Sequence, residues 1–173
     1  DELLIRCGSA EVRLRHADGS ATFVLPRSLC AVPDALALLA ESVVTSYHVR
    51  GGRLQAMHSA LVSRDGVGVL LRGPSGAGKS TLTYACSRRG MTVVSDDWVY
   101  AATDGGADRL AGYPWRIMLT EPAAARFAEL DGVSTVPHTS EEGRKVRVTP
   151  AVEARTVVAD VAAVVLLDAD ESL

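Results

Sequence analysis

The run Gly73-Pro-Ser-Gly-Ala-Gly-Lys79-Ser80 has the spacing G-x-x-x-x-G-K-S, which between a strand and a helix makes a cradle for phosphate. Gly73, Gly76 and Gly78 let the backbone wrap an anion with its N–H groups, and the start of the following helix adds partial positive charge. Pro74, Ser75 and Ala77 fill the variable slots. On this chemistry Lys79 reaches the β- and γ-phosphates of a nucleoside triphosphate and Ser80 offers its hydroxyl to Mg²⁺, with Thr81 as a further phosphate contact. The competing reading is a glycine-rich turn that happens to contain Lys-Ser. Of the 18 basic residues all but Lys79 and Lys145 are arginine, so a lysine in this slot is informative.

Ser95-Asp96-Asp97 places two carboxylates after a short apolar run. That run reads as a strand beside the loop strand, and the carboxyl edge of an open α/β sheet is where ligands bind. Phosphoryl transfer needs metal charge and a group that orients or deprotonates the nucleophile, tasks that two neighbouring carboxylates can divide. Alone, an Asp-Asp pair reads more simply as a turn; coupled to the phosphate loop, the catalytic reading is preferred. His58 precedes the hairpin that enters the loop. Its side chain suits proton chemistry near neutral pH, although a lone histidine is more often structural.

The elements that must position these residues are legible in part. Glu11–Arg15 and Ala21–Leu25 alternate like strands around Asp18-Gly19, a hairpin signal. Pro33-Asp34 opens a helix with Asp34 as candidate N-cap, ended by Gly51-Gly52. Ala60–Ser63 and Val67–Leu71 flank Arg64-Asp65-Gly66, a second hairpin. A helix over Ser80–Arg89 stops at Gly90, and Met91–Val94 resumes as a buried strand. Trp98–Ala102, Leu110–Ala111 and Trp115–Leu119 read as strands, Pro122–Leu130 as a helix capped by Thr120, and Lys145–Val148 and Val158–Leu167 as strands, the last central in a sheet. Trp98 and Trp115 are expected in the core. Asp131–Glu142 is polar and turn-rich, either a solvated loop carrying His138, Glu141 and Glu142 or a lid over substrate.

The chain has 173 residues, 47% hydrophobic and 23% charged, with net charge −3, the profile of one soluble α/β domain with a real core. The low charge and a pI near 5.8 disfavour duplex nucleic acid and anionic membranes as partners. No apolar run is long enough to span a bilayer. Cys7, Cys30 and Cys86 form neither a disulfide framework nor a zinc pattern, and read as reduced thiols in a cytoplasm.

His58-Ser-Ala-Leu-Val, Gly68-Val-Leu-Leu-Arg-Gly73-Pro-Ser-Gly-Ala-Gly-Lys79-Ser80-Thr81, Gly90 and Val94-Ser95-Asp96-Asp97 together resemble the catalytic domain of bacterial HPr kinase/phosphorylase and its HPr kinase-like relatives. The resemblance spans about His58–Tyr100; Tyr113-Pro-Trp115 and Gly143-Arg-Lys145-Val146 are similar to features of the shorter HPr kinase-related proteins. It implies a phosphate-loop (Walker A) domain akin to phosphoenolpyruvate carboxykinase over residues 54–173. Residues 1–53 then form a small N-terminal β/α unit packed on it, and the catalytic domain is expected to be incomplete at its C-terminus. It further implies ATP and Mg²⁺ as cofactors and transfer of the γ-phosphoryl group to a serine hydroxyl. Asp96 would be the general base, Asp97 a Mg²⁺ or phosphate partner, and His58 a neighbour of the transferred phosphate, with the two aspartate roles open to exchange. Arg144, Lys145 and Arg147 would either face the phosphates or lie on a solvated strand edge. The family's later segment and its regulatory N-terminal domain are not recognisable here. HPr itself is therefore not the favoured acceptor; the expected one is a hydroxyl, serine of a peptide or protein, with a small molecule as the alternative, and lasso-peptide kinases are among the enzymes that HPr kinase-like proteins resemble. A silent ATP-binding regulator is the alternative outside enzymes, and homo-oligomerisation is left open.

Overall fold

The computed structural model describes residues 2–15, 17–103, 109–133, 135–137 and 144–168. The chain divides into two compact units, Asp1–Gln55 and Ala56–Leu173.

The first unit holds strands β1 (Glu2–Cys7), β2 (Ala10–Arg15) and β3 (Ser20–Val24), a short helix α1 (Arg27–Cys30) and the long helix α2 (Pro33–Arg50). The strands form an antiparallel sheet in sequence order. Its inward positions Val12 and Leu14 pack with Val43 of α2, joined by Leu3, Ile5 and Phe23. The strand β1 was unforeseen, although Leu3 and Ile5 carry the period-two signal. At the start of α2 the N-cap is Val32, with Pro33 in the first turn, so Asp34 is not the cap. Proline supplies the helical φ there and its missing N–H costs nothing.

From β4 (Leu54–His58), which starts two residues before the division, the chain continues through β5 (Ala60–Arg64), β6 (Val67–Arg72), α3 (Lys79–Arg88), β7 (Thr92–Ser95), β8 (Trp98–Ala102), β9 (Arg109–Gly112) and β10 (Ile117–Thr120). Then follow α4 (Glu121–Ala124), a 3-10 turn at Ala128–Leu130, β11 (Thr135–Pro137), β12 (Arg144–Val148), a second 3-10 turn at Val152–Ala154 and β13 (Val158–Leu166). Seven strands make the large sheet, in the order β4-β8-β9-β13-β6-β5-β7, and β10-β12-β11 make a smaller one. The fold is mixed α/β.

The hairpin β5–β6 turns at Asp65 and Gly66, whose φ values of 54° and 82° suit the primed turns that match strand twist. That hairpin corrects one expectation. The strand β7 does not lie beside the loop strand β6: β5 sits between them, antiparallel to both, and β13 takes the other edge of β6 in parallel. The carboxyl ends of β6, β7 and β13 still share one edge, because all three run the same way.

One residue links β4 to β5 and two link β7 to β8, although these pairs are far apart in the strand order. The sheet must curl for its ends to meet. The curl encloses a core of Leu61, Leu70, Val94, Val99, Leu110 and Ala159, with Met57 packed against it, so each of the seven strands contributes. Alternate residues of β7 face the other way: Val93 packs with Tyr84 of α3, Ile117, Leu119 and Val146.

Three further expectations change. The helix foreseen over Pro122–Leu130 stops at Ala124 although Thr120 caps it as foreseen, its Oγ1 accepting from Ala123 N–H at 3.3 Å. Phe127 turns extended and sets its ring edge-on to Tyr84 at 4.7 Å, so core packing overrides local propensity. The strand β13 is central in the order, yet Val164 and Leu166 are 54% and 78% exposed, because β9 flanks it only over Val158–Asp160. Neither tryptophan is core: Trp98 is 44% and Trp115 47% exposed. Trp98 stands opposite the buried Val99 on β8, and Trp115 lies under the Arg155 guanidinium at 6.0 Å. The stretch read as a lid is described only at residues 131–133 and 135–137; His138, Glu141, Glu142 and Gly143 lie outside the described residues. No helix among those described is long and apolar enough to cross a membrane.

Leu61 is fully buried at the meeting point of the curl. Leu61→Ala should therefore lower unfolding free energy by about 2–5 kcal/mol, read as a shifted urea midpoint at unchanged slope. A loss under about 0.5 kcal/mol would mean that this core does not hold the sheet.

Candidate functional site

The strand β6 ends at Arg72 and the chain crosses Gly73–Gly78 to reach α3. A Cβ on Gly73 would lie 2.5 Å from the Leu167 carbonyl oxygen, so the loop passes against the end of β13 where no side chain fits. Gly78 is the N-cap of α3 with φ 88°, a left-handed conformation that glycine adopts without strain. It provides no side-chain cap, and the first turn of α3 has no acidic residue.

Lys79 is 7% exposed. Its Nζ donates to the carbonyls of Gly73 at 2.9 Å and Pro74 at 2.8 Å. The ammonium thus braces the loop that leads to it. Ser80 and Thr81 follow on α3, half-buried.

The two aspartates differ sharply. Asp96 is 7% exposed; its Oδ2 accepts from Met118 N–H of β10 at 2.9 Å, and its Oδ1 is buried without a partner. Burial pushes its carboxyl from 3.8 up to about 7, against the pull of the Met118 N–H, the Ser80 hydroxyl and the Lys145 charge, and with a further push from Asp97. Asp97 faces water with a side chain 65% exposed, and its Oδ1 lies 3.2 Å from His58 Nε2. The corner is closed by backbone: Ser59 N–H donates to the Asp97 carbonyl at 3.0 Å. Ser95 Oγ donates to the Trp98 carbonyl at 2.5 Å. The His58 ring also meets Trp98, with centroids 5.6 Å apart and planes tilted by 38°.

The fold thus brings Ser80, Asp96 and Lys145 into one electrostatic neighbourhood and His58, Asp97 and Trp98 into another. Lys145 stands opposite Thr120 in the β10–β12 ladder. Arg144 and Arg147 are exposed on β12. The backbone amide of Met118 and the indole of Trp98 were missed by sequence reasoning. The amide leaves no residue-type signal, whereas Trp98 immediately follows Asp97 and could have been noticed. Among the described residues no group of three or more His, Cys, Asp and Glu side chains is placed to hold a metal. A hard cation here would rest on few protein groups and draw its remaining ligands from phosphate and water.

Residues 52–120 match the family described as HPr Serine kinase C-terminal domain. Over 59 residues the chain is 44% identical to an HPr kinase/phosphorylase of Shouchella clausii (strain KSM-K16), covering 34% of this chain and 19% of that protein. Over 67 residues it is 39% identical to an HPr kinase/phosphorylase of Exiguobacterium sp. (strain ATCC BAA-1283 / AT1b), covering 38% of this chain and 22% of that protein. The solved HPr(Ser) kinase/phosphatase from Coxiella burnetii aligns with TM-score 0.42 and 19% identity over 65% of this chain and 64% of that one. The match spans about a fifth of each curated relative. This segment, which holds His58, the glycine loop and both aspartates, is similar to HPr kinase family members.

Asp96 has a proton-linked effect on stability. The folded chain keeps this proton up to about pH 7 while the unfolded chain gives it up near 3.8. Between those values folding takes up a proton, so the stability contributed by this site is full below the lower value and is lost as pH rises through the upper one. The cost is at most about 4 kcal/mol. Asp96→Asn cannot ionise and should make the ligand-free protein more stable at pH 7.5 by about 1–3 kcal/mol, the gain shrinking toward pH 4.5. Urea titrations at both pH values measure it, and a destabilised variant at pH 7.5 contradicts the assignment.

Proposed function

We propose that this chain is an ATP- and Mg²⁺-dependent kinase that transfers the γ-phosphoryl group to a hydroxyl, serine of a peptide or protein being the acceptor its family likeness favours. The observation that carries the reading is the asymmetry of the aspartate pair. A buried carboxylate with an unpartnered oxygen lies beside the Ser80 hydroxyl at the start of α3, while its neighbour faces solvent on a histidine.

That asymmetry favours exchanging the two aspartate roles. A general base must reach the proton it takes, and reach comes before pKa. Asp96 is too buried to meet a peptide hydroxyl, but its free Oδ1 and the Ser80 hydroxyl fit a Mg²⁺ ion, and binding one would relieve the burial cost of that carboxylate. Bound there, the ion would neutralise charge on the β- and γ-phosphates. The exposed Asp97 then serves as base.

In the proposed reaction the loop amides from Gly76 to Ser80 hold the phosphates, and Lys79 exchanges its two carbonyl acceptors for phosphate oxygens. The acceptor oxygen attacks the γ-phosphorus, its bond forms as the bond to the β-phosphate oxygen breaks, and the hydroxyl proton passes to Asp97. ADP leaves with the electron pair of the broken bond. His58, paired with Asp97, steadies that carboxylate and stands near the transferred group. Catalysis is chiefly positioning and charge neutralisation.

Two outcomes test this. Lys79→Ala should weaken Mg-ATP binding by about 10- to 150-fold, the loss of a charge-assisted contact, and should lower the ligand-free melting temperature modestly because the loop carbonyls lose their donor. Calorimetry and a thermal melt read the two effects, and unchanged ATP affinity would sink the phosphate-loop assignment. Asp97→Asn should leave Mg-ATP affinity within about twofold and cut transfer to a hydroxyl acceptor by at least about 100-fold. The opposite pattern, with ATP affinity lost and turnover of bound ATP retained, would return the base to Asp96.

A further inference from the structure

Trp98 is the first residue of β8, and β8 is the neighbour of β4 in the large sheet. That pairing sets the indole beside His58, the last residue of β4. The Trp98 backbone is fixed independently of its ring: its carbonyl accepts from Ser95 Oγ, and the next residue, Val99, is fully buried in the core. The residue remains 44% exposed, so the indole is not part of the core. Its ring contact is with His58. His58 is itself half open to solvent, at 46%, and its Nε2 faces Asp97 Oδ1 at 3.2 Å. An exposed imidazole with one carboxylate partner has several rotamers available, and a flat wall on one side removes those that swing it away from Asp97.

We propose that Trp98 is a positioning residue: its indole walls the His58 imidazole into the geometry in which it pairs with Asp97, and it acts on phosphoryl transfer through His58. This deepens the kinase reading and rests on it for its functional consequence, but the geometry can be tested without turnover. A planar ring of smaller area keeps the wall, so Trp98→Phe retains the effect and Trp98→Ala loses it.

The first measurement is nuclear magnetic resonance of the ligand-free protein. His58 ring signals, identified by their loss in His58→Gln, should move on Trp98→Ala as the indole ring current is removed, and should move much less in Trp98→Phe. Trp115→Ala is the control and should leave them in place. Unmoved His58 signals in Trp98→Ala overturn the proposal whether or not an acceptor has been found. The second is a double-mutant cycle on phosphoryl transfer. Trp98→Ala should lower kcat by about tenfold with the KM for ATP unchanged, and should have less than about a twofold effect in the His58→Ala background. An equal loss in both backgrounds would show that Trp98 acts by another route and overturn the proposal. A wild-type protein that moves no phosphate, with the resonance shifts as expected, would refute the kinase reading while leaving the placement of His58 by Trp98 standing.

Discussion

A carboxylate taken out of water costs several kcal/mol unless something replaces the lost solvation. Asp96 is 7% exposed with one backbone N–H on Oδ2 and nothing on Oδ1, and the group compensates by holding its proton to about pH 7. Such a group is a poor contributor to stability, so its placement says more about a ligand than about packing. Three separate elements converge on it: α3 through Ser80, β10 through the Met118 amide and β12 through Lys145. None of these contacts is local in sequence, and each depends on the way the second unit closes.

Closure is the work of the curled sheet. With only Ser59 between β4 and β5 and only Asp96-Asp97 between β7 and β8, the two connections are too short to span an open seven-stranded sheet. They are brought face to face, and the Ser59 N–H bond to the Asp97 carbonyl joins them. His58 and Asp97, far apart in sequence, thereby become neighbours for a backbone reason. The core behind them draws on all seven strands, so the geometry at the corner is tied to the most buried part of the unit.

Much of this was readable from residue types and some of it was not. The glycine loop announced itself by spacing, and the flanking strand and helix lie within a residue or two of their expected ends. His58 was foreseen only as lying before a hairpin. Its strand, Leu-Gln-Ala-Met-His, contains no β-branched residue and becomes a strand through pairing with β8 rather than through propensity. The order of β5, β6 and β7 was misjudged because a hairpin partner competes with a crossover partner for the same edge, and the sequence does not show which edge β13 will claim. The exposure of Trp98 was misjudged because a tryptophan is usually worth most in a core, and only the alternation set by Val99 shows which way it faces.

The end of β7 also bears on why adjacent aspartates can carry different chemistry. Both lie in the bend between β7 and β8, where Asp96 is buried against Met118 N–H, Ser80 and Lys145 and Asp97 faces water beside His58. One is pushed toward neutrality by desolvation, and in the proposed reaction it needs a cation to ionise. The other faces water beside a histidine, where an incoming hydroxyl can reach it. The division of labour is set where β7 ends: its register against β5 shifts between Val93 and Ser95, strict alternation stops there, and the bend that follows turns Asp96 inward to Met118 and Asp97 outward to His58.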